Sequence, residues 1–132
     1  MEETKLIEKA LDMLNYSYVP YSHFHVGAAL LSKDGKIFGG CNIENASYTP
    51  TNCAERTAFF KAVSEGVKEF EAIAIVGGMD GVVKDYCPPC GVCRQVMREF
   101  CADDFKIILA KSPEEYKVFT LKDLLPESFS LI

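Results

Sequence analysis

Cys90 and Cys93 stand three positions apart behind Pro88-Pro89, and a third thiol, Cys53, lies far upstream with a carboxylate, Glu55, two residues after it. Two separate segments that share one metal ion must meet in space, so this set of residues restricts the fold more than any other feature of the chain. A Cys-x-x-Cys pair puts both sulfurs on one face when it opens a helix. Cys53 and Glu55, only two apart, diverge in a helix interior and converge only in a first turn, where side chains tilt back over the open N-terminus. The fold is therefore expected to bring two helix N-termini to one point. Each such end carries unpaired N–H groups and a partial positive charge, which suits anionic sulfur.

The remaining thiols support a metal rather than disulfides. The chain has six cysteines, a net charge of −5 and no basic segment leading into an apolar run. The expected compartment is the cytoplasm, where thiols are kept reduced. No apolar stretch approaches the roughly 18 residues of a membrane helix. The fourteen Lys and Arg residues are scattered rather than gathered into a patch that could track phosphates, so a polynucleotide partner is not expected and a small neutral ligand is. Cys41 and Cys101 stand apart and read as core packing.

Zinc is the ion that thiolates select for a tetrahedral, non-redox site, and three protein ligands plus a water is the arrangement of a catalytic zinc centre. Cys53, Cys90 and Cys93 supply the three. A water with its pKa lowered toward ~7 is a nucleophile near neutrality, and Glu55, close by but not a ligand, can take its proton and pass it to a leaving group. Three thiolates on a divalent ion leave a net negative charge, which Arg56 is placed to offset by a hydrogen bond to a ligand sulfur. Cys87-Pro-Pro-Cys90 is a competing Cys-x-x-Cys. Its prolines keep the backbone extended and without N–H donors, so Cys90 and Cys93 are the expected ligands and Cys87 a spare thiol. With Cys87 as fourth ligand the site would be sealed and structural.

Read in order, the chain opens with an amphipathic helix (Leu6, Ile7, Ala10, Leu11, Leu14) that ends around 18–22. A strand at 25–31, a turn at Asp34-Gly35 and a strand at 36–41 form a hairpin. A polar loop covers 42–50, and Thr51 or Asn52 is expected to cap a helix carrying Ala54, Ala58, Phe59, Ala62 and Val63, which stops at Gly66. The apolar run 72–76 suits a strand covered on both faces, and a Gly-rich turn is expected after it. A helix from near Cys90 through Val92, Val96 and Phe100, a strand at 106–110, a weaker strand at 116–119 and a short helix capped by Thr120 complete the chain. The expected architecture is a single α/β domain over residues 1–132, three-layer α/β/α, with a central mixed sheet of about five strands.

Cys53-Ala54-Glu55-Arg56 together with Pro89-Cys90-Gly91-Val92-Cys93-Arg94-Gln95 resembles the small cytidine deaminases with a three-cysteine zinc site. The likeness extends from Tyr21-Ser22-His23-Phe24 and Val26-Gly27-Ala28-Ala29 through Asn42-Ile43-Glu44-Asn45-Ala46-Ser47-Tyr48 to Leu124-Leu125-Pro126. It implies one zinc per subunit and hydrolytic deamination of free cytidine and 2′-deoxycytidine in pyrimidine salvage. It further implies that Asn42 and Glu44 bind the ribose hydroxyls, that Phe24 packs on the pyrimidine and that backbone groups of Ala54 read the base edge. Tyr48 and Phe129 match positions that reach a neighbouring subunit's pocket in a homotetramer. By residue type alone Phe24 would be a core aromatic, and Asn42 and Glu44 would cap their own loop. His23 and His25 receive no role. Two alternatives stand beside this reading: a deaminase of a cytosine-containing antibiotic such as blasticidin S, against which Asn42-Ile43-Glu44-Asn45 argues, and a non-catalytic zinc module using all of Cys53, Cys87, Cys90 and Cys93.

Overall fold

A computed structural model describes residues 2–132. Helix α1 (Glu3–Met13) buries Leu6, Ile7 and Ala10 of the predicted stripe, with Leu11 and Leu14 half-buried and Met13, outside that stripe, buried as well, and a 3-10 turn (Leu14–Tyr16) closes it. Strands β1 (Phe24–Ser32) and β2 (Ile37–Cys41) form the expected hairpin. Helix α2 (Ala54–Ser64), strand β3 (Phe70–Met79), helix α3 (Gly91–Phe100), strands β4 (Lys106–Ser112) and β5 (Glu115–Thr120) and the short helix α4 (Leu121–Leu124) follow in alternation.

The five strands make one mixed sheet in the order β2-β1-β3-β4-β5. β1 is antiparallel to both neighbours, β3 and β4 are parallel, and β5 is antiparallel to β4. Side chains alternate between the two faces of a strand. One face of the sheet, including Ala29, Ala72, Ala74, Val76, Ile108 and Ala110, packs against Leu6, Ile7 and Ala10 of α1. The opposite face, including Ala28, Leu30, Ile73, Ile75, Ile107 and Leu109, is covered by Ala54, Ala58, Phe59 and Ala62 of α2 and Cys93 and Met97 of α3. This is the three-layer α/β/α arrangement expected from the sequence. Phe59 on α2 stacks with Phe100 on α3, centroids 6.3 Å apart, and meets Phe70 edge-on at 5.0 Å, so aromatic packing fixes the two helices against each other and the sheet.

Three local expectations are corrected. β3 does not end at 76: Gly77 and Gly78 stay in register with Val26 and His25, and the turn falls at Asp80-Gly81, both at positive φ. These glycines serve space rather than a turn, since a Cβ on Gly78 would lie 1.9 Å from the Val82 carbonyl oxygen. Neither Thr51 nor Asn52 caps α2; its N-cap is Cys53, with no side-chain capping bond. Thr51 Oγ1 instead accepts from the Asn45 N–H, and Asn52 Nδ2 donates to Thr57 Oγ1. On α3 the buried face is Cys93 and Met97, whereas Val92 is exposed. Thr120 does cap α4, in a reciprocal capping box with Asp123.

Candidate metal centre and active site

The N-caps of α2 and α3 are both cysteines, Cys53 and Cys90, each in extended backbone geometry. An N-cap side chain can fold back over the first turn, and on α3 the Cys90 sulfur does so, accepting from the Cys93 N–H in the place usually held by a hydroxyl or carboxylate oxygen. Cys93, one turn into α3, joins them: the three sulfurs lie within 4.8 Å of one another, and Cys53 Sγ is 3.7 Å from Cys90 Sγ. A tetrahedral ion with metal–sulfur bonds of about 2.3 Å has sulfur–sulfur edges of about 3.8 Å, so the donor set fits zinc in chemistry and spacing. Cys87 lies outside this group among the described residues, which counts against a four-sulfur structural site.

Charge is already arranged around the three thiols. A hydrogen bond from the Cys93 thiol, aided by the Arg56 guanidinium, lowers the Cys53 pKa to about 5 against the opposing effect of burial, while Cys93, as the donor and buried, is pushed well up. Arg56 donates from its Nη2 to Cys53 Sγ at 3.2 Å. Burial disfavours the charge of Arg56, but its bonds to Cys53 and Cys93 outweigh this and hold it firmly protonated. Cys87 is pushed up to about 12 by burial and by the nearby negative charges of Glu55 and Cys53, which keeps it a neutral thiol.

Glu55 is 4% exposed. Burial, and after it the charge of Cys53, raises its carboxyl to about 7, against the opposing pull of its own backbone N–H and Arg56. A buried carboxyl in the first turn of α2, one residue from the Arg56 charge and two from a ligand position, has the geometry of a proton carrier rather than of a solvated helix residue.

The other expected residues surround this point. Phe24 opens β1 on the face that carries α2 and α3. Asn42 locks that strand end: its Oδ1 accepts from the Val26 N–H at 2.9 Å and its Nδ2 donates to the Phe24 carbonyl at 2.8 Å, leaving one N–H and one lone pair free. Glu44 Oε1 accepts from the backbone N–H groups of Tyr21 and Ser22 at 3.0 and 3.1 Å. A bond from the Ser22 hydroxyl, and after it those two backbone bonds, hold its carboxyl below the usual range. Glu44 lines an open cavity of about 410 Å³ with Tyr21, Ser22, Asn45, Tyr48 and Thr51. Nothing in the sequence marks Thr51 for this lining, because its type reads first as a helix cap.

Tyr48, at the mouth of that cavity, and Phe129 are both largely exposed. Tyr48 sits at φ 64 with its side chain 75% exposed, and Phe129 is 68% exposed, its carbonyl accepting from Gln95 Nε2 of α3. Ala54 is fully buried in the first turn of α2. The histidines separate from the site: His25 shares the α1 face of β1 with Ala29 and hydrogen-bonds Ser17, and His23 is an exposed residue at positive φ whose carbonyl accepts from Asp80.

Residues 1–109 match the family described as the cytidine and deoxycytidylate deaminase zinc-binding region. A cytidine deaminase of Sporosarcina psychrophila is 50% identical over 98% of this chain and 93% of its own length. A crystal structure of cytidine deaminase from Burkholderia pseudomallei superposes with a TM-score of 0.89 at 46% identity, covering 98% of this chain and all of that one. A blasticidin-S deaminase of Bacillus cereus is more distant, 30% identical over 98% of this chain and 93% of its own.

Proposed function

We propose, for a chain that belongs to the zinc-dependent cytidine deaminase family, that it hydrolyses cytidine and 2′-deoxycytidine to uridine and 2′-deoxyuridine with release of ammonia. The observation that carries this reading is the gathering of three cysteine sulfurs at two helix N-termini with the buried Glu55 carboxyl beside them. Cys53, Cys90 and Cys93 would hold the zinc, whose Lewis acidity would lower the pKa of a water molecule and so make a nucleophile available near neutral pH. Glu55 would take one proton from the attacking water and deliver it to N3 of the pyrimidine as the water oxygen bonds to C4, then take the remaining proton from the new C4 hydroxyl and deliver it to the amine as the C4–N bond breaks and the C4 carbonyl forms. Water is consumed and ammonia released, so the protons carried by Glu55 balance over the cycle. Arg56 offsets the negative charge of the sulfur set from its place on Cys53.

In the same reading Phe24 packs on the base, backbone groups of Ala54 read its edge, and Asn42 and Glu44 hold the ribose hydroxyls. Asn and Glu so placed suit a nucleoside diol rather than the antibiotic alternative. Tyr48 and Phe129, exposed on one subunit, complete a neighbour's pocket in a homotetramer with one zinc per subunit. The work of the protein lies in pyrimidine salvage in the cytoplasm, where the thiols stay reduced. The test is purified protein mixed with cytidine, followed by the ultraviolet change as the amine is lost. Turnover is expected in the wild type, with a loss of roughly 10²- to 10⁴-fold in Glu55→Gln at unchanged zinc content. No turnover in the wild type, or normal turnover in Glu55→Gln, overturns the reading.

A further inference from the structure

The spare thiol has a specific neighbour. Gly77 lies on β3 opposite Val26, on the sheet face that carries the metal centre. A Cβ built on Gly77 would lie 2.8 Å from Cys87 Sγ, 3.1 Å from Cys87 Cβ and 3.2 Å from Cε2 of Phe24. The missing side chain of Gly77 therefore leaves a notch filled by the Cys87 sulfur and the edge of the Phe24 ring. Both atoms lie so close to one point that Cys87 Sγ and Phe24 Cε2 are no more than about 6 Å apart, neighbours across a single notch.

We propose that Cys87 is a positioning residue for the pyrimidine ring: its sulfur, seated on Gly77, backs the Phe24 ring and ties the wall of the base pocket to the metal centre. This rests on the reading that Phe24 packs on the base. Phe24 is carried by β1, whereas the attacking water is held from α2 and α3, so the two halves of the reaction ride on different elements. Cys87 spans them. It contacts the notch beside Phe24, and Pro88 and Pro89, with fixed φ, join it to Cys90 at the start of α3. A residue before proline is itself confined to extended backbone, so the link has little freedom to slacken. An atom-scale shift of the base relative to the nucleophile is costly in rate, which gives such a strut its value.

The test uses the zinc-loaded full chain, with zinc content and melting temperature measured for each variant. Cys87→Ala is expected to keep its zinc and to raise KM for cytidine roughly three- to tenfold, more than it lowers kcat. Gly77→Ala, which drives a methyl into the notch, is expected to raise KM further. In the double variant Gly77→Ala/Cys87→Ala the methyl takes the space of the deleted sulfur, and KM is expected to recover below that of Gly77→Ala alone. Cys87→Ser, which keeps the notch partly filled, is expected between wild type and Cys87→Ala and replaces it should that variant not fold. Loss of zinc from Cys87→Ala, a KM within twofold of wild type, or no recovery in the double variant overturns the proposal. Phe24→Ala separates the causes: raised KM there with normal KM in Cys87→Ala removes the strut alone, while normal KM in Phe24→Ala removes the role of Phe24 in the base pocket as well.

Discussion

Gly40 places a backbone, not a side chain, under the metal centre. It sits on β2 opposite Ala28, and a Cβ there would lie 2.3 Å from the Ala54 carbonyl oxygen, 2.6 Å from the Ala58 nitrogen and 3.0 Å from the Ala58 Cβ. These are atoms of the first turns of α2, whose opening residues are Cys53, Ala54 and Glu55. No rotamer change can relieve a clash with backbone, so Gly40→Ala must lift the start of α2 by about 1 Å to reach ordinary contact distance. The atoms nearest this methyl all belong to α2, so the push falls on the start of α2 before any of it reaches α3 through the Phe59–Phe100 contact. The 3.7 Å separation of the Cys53 and Cys90 sulfurs then opens by up to about 1 Å, whereas metal–ligand distances tolerate about 0.2 Å.

The expected cost is about 1–3 kcal/mol of stability from overpacking and a loss of kcat/KM on the order of 100-fold from misplacement. The assays are urea unfolding, zinc content after dialysis against a weak chelator and cytidine turnover. Gly91→Ala is the control, because a Cβ there meets nothing within 4 Å, and its zinc content and urea midpoint are expected to match wild type. Gly40→Ala with full zinc and kcat/KM within twofold of wild type would refute the claim that β2 sets the position of the metal ligands.

Cys90→Ala is expected to lose both zinc and turnover, and a variant retaining both would shift the ligand set toward Cys87. Arg56→Gln removes the Nη2 bond to Cys53 and should lower kcat/KM about tenfold while moving the urea midpoint little; equal rates in variant and wild type would discard the charge-offset role. Light scattering should give the mass of four subunits, and a fully active monomer would leave Tyr48 and Phe129 without a neighbour to reach.

Much of this was legible because the signals were redundant. The apolar run 72–76 and the alternation around it announced a strand buried on both faces, and the two cysteine segments demanded helix N-termini, which is where both lie. What resisted reading was glycine and capping chemistry. Gly77-Gly78 has the composition of a turn, yet β1 supplies partners for both residues, and their lack of side chains admits Cys87 and Val82. Only a neighbour distant in sequence distinguishes the two uses of glycine. Thr51 and Asn52 are strong caps by type, but they bond Asn45 and Thr57 instead, and a thiol of the three-sulfur cluster occupies the N-cap. Local propensity yielded to the site, as expected where function sets the residue.

The convergence of the ligands follows from the order of the strands. β2 and β3 are both antiparallel to β1 and hence parallel to each other, so their C-terminal ends lie at the same edge of the sheet. Each is followed by a helix, α2 and α3, and both helices pack on the same face, so both N-termini begin at that edge. β1, running the other way between them, begins there with Phe24. Two strand spacings amount to about 9.6 Å, within the 8–10 Å at which neighbouring helices pack. Helices that begin beyond the ends of β2 and β3 and pack on one face can thus start side by side, and the cysteines at their N-caps face each other across one ion's width. A strand inserted between β1 and either neighbour would part the helix N-termini by about 4.8 Å more. No choice of ligand at Cys53 or Cys90 could then close the gap, which makes the order β2-β1-β3 as much a part of the site as its sulfurs.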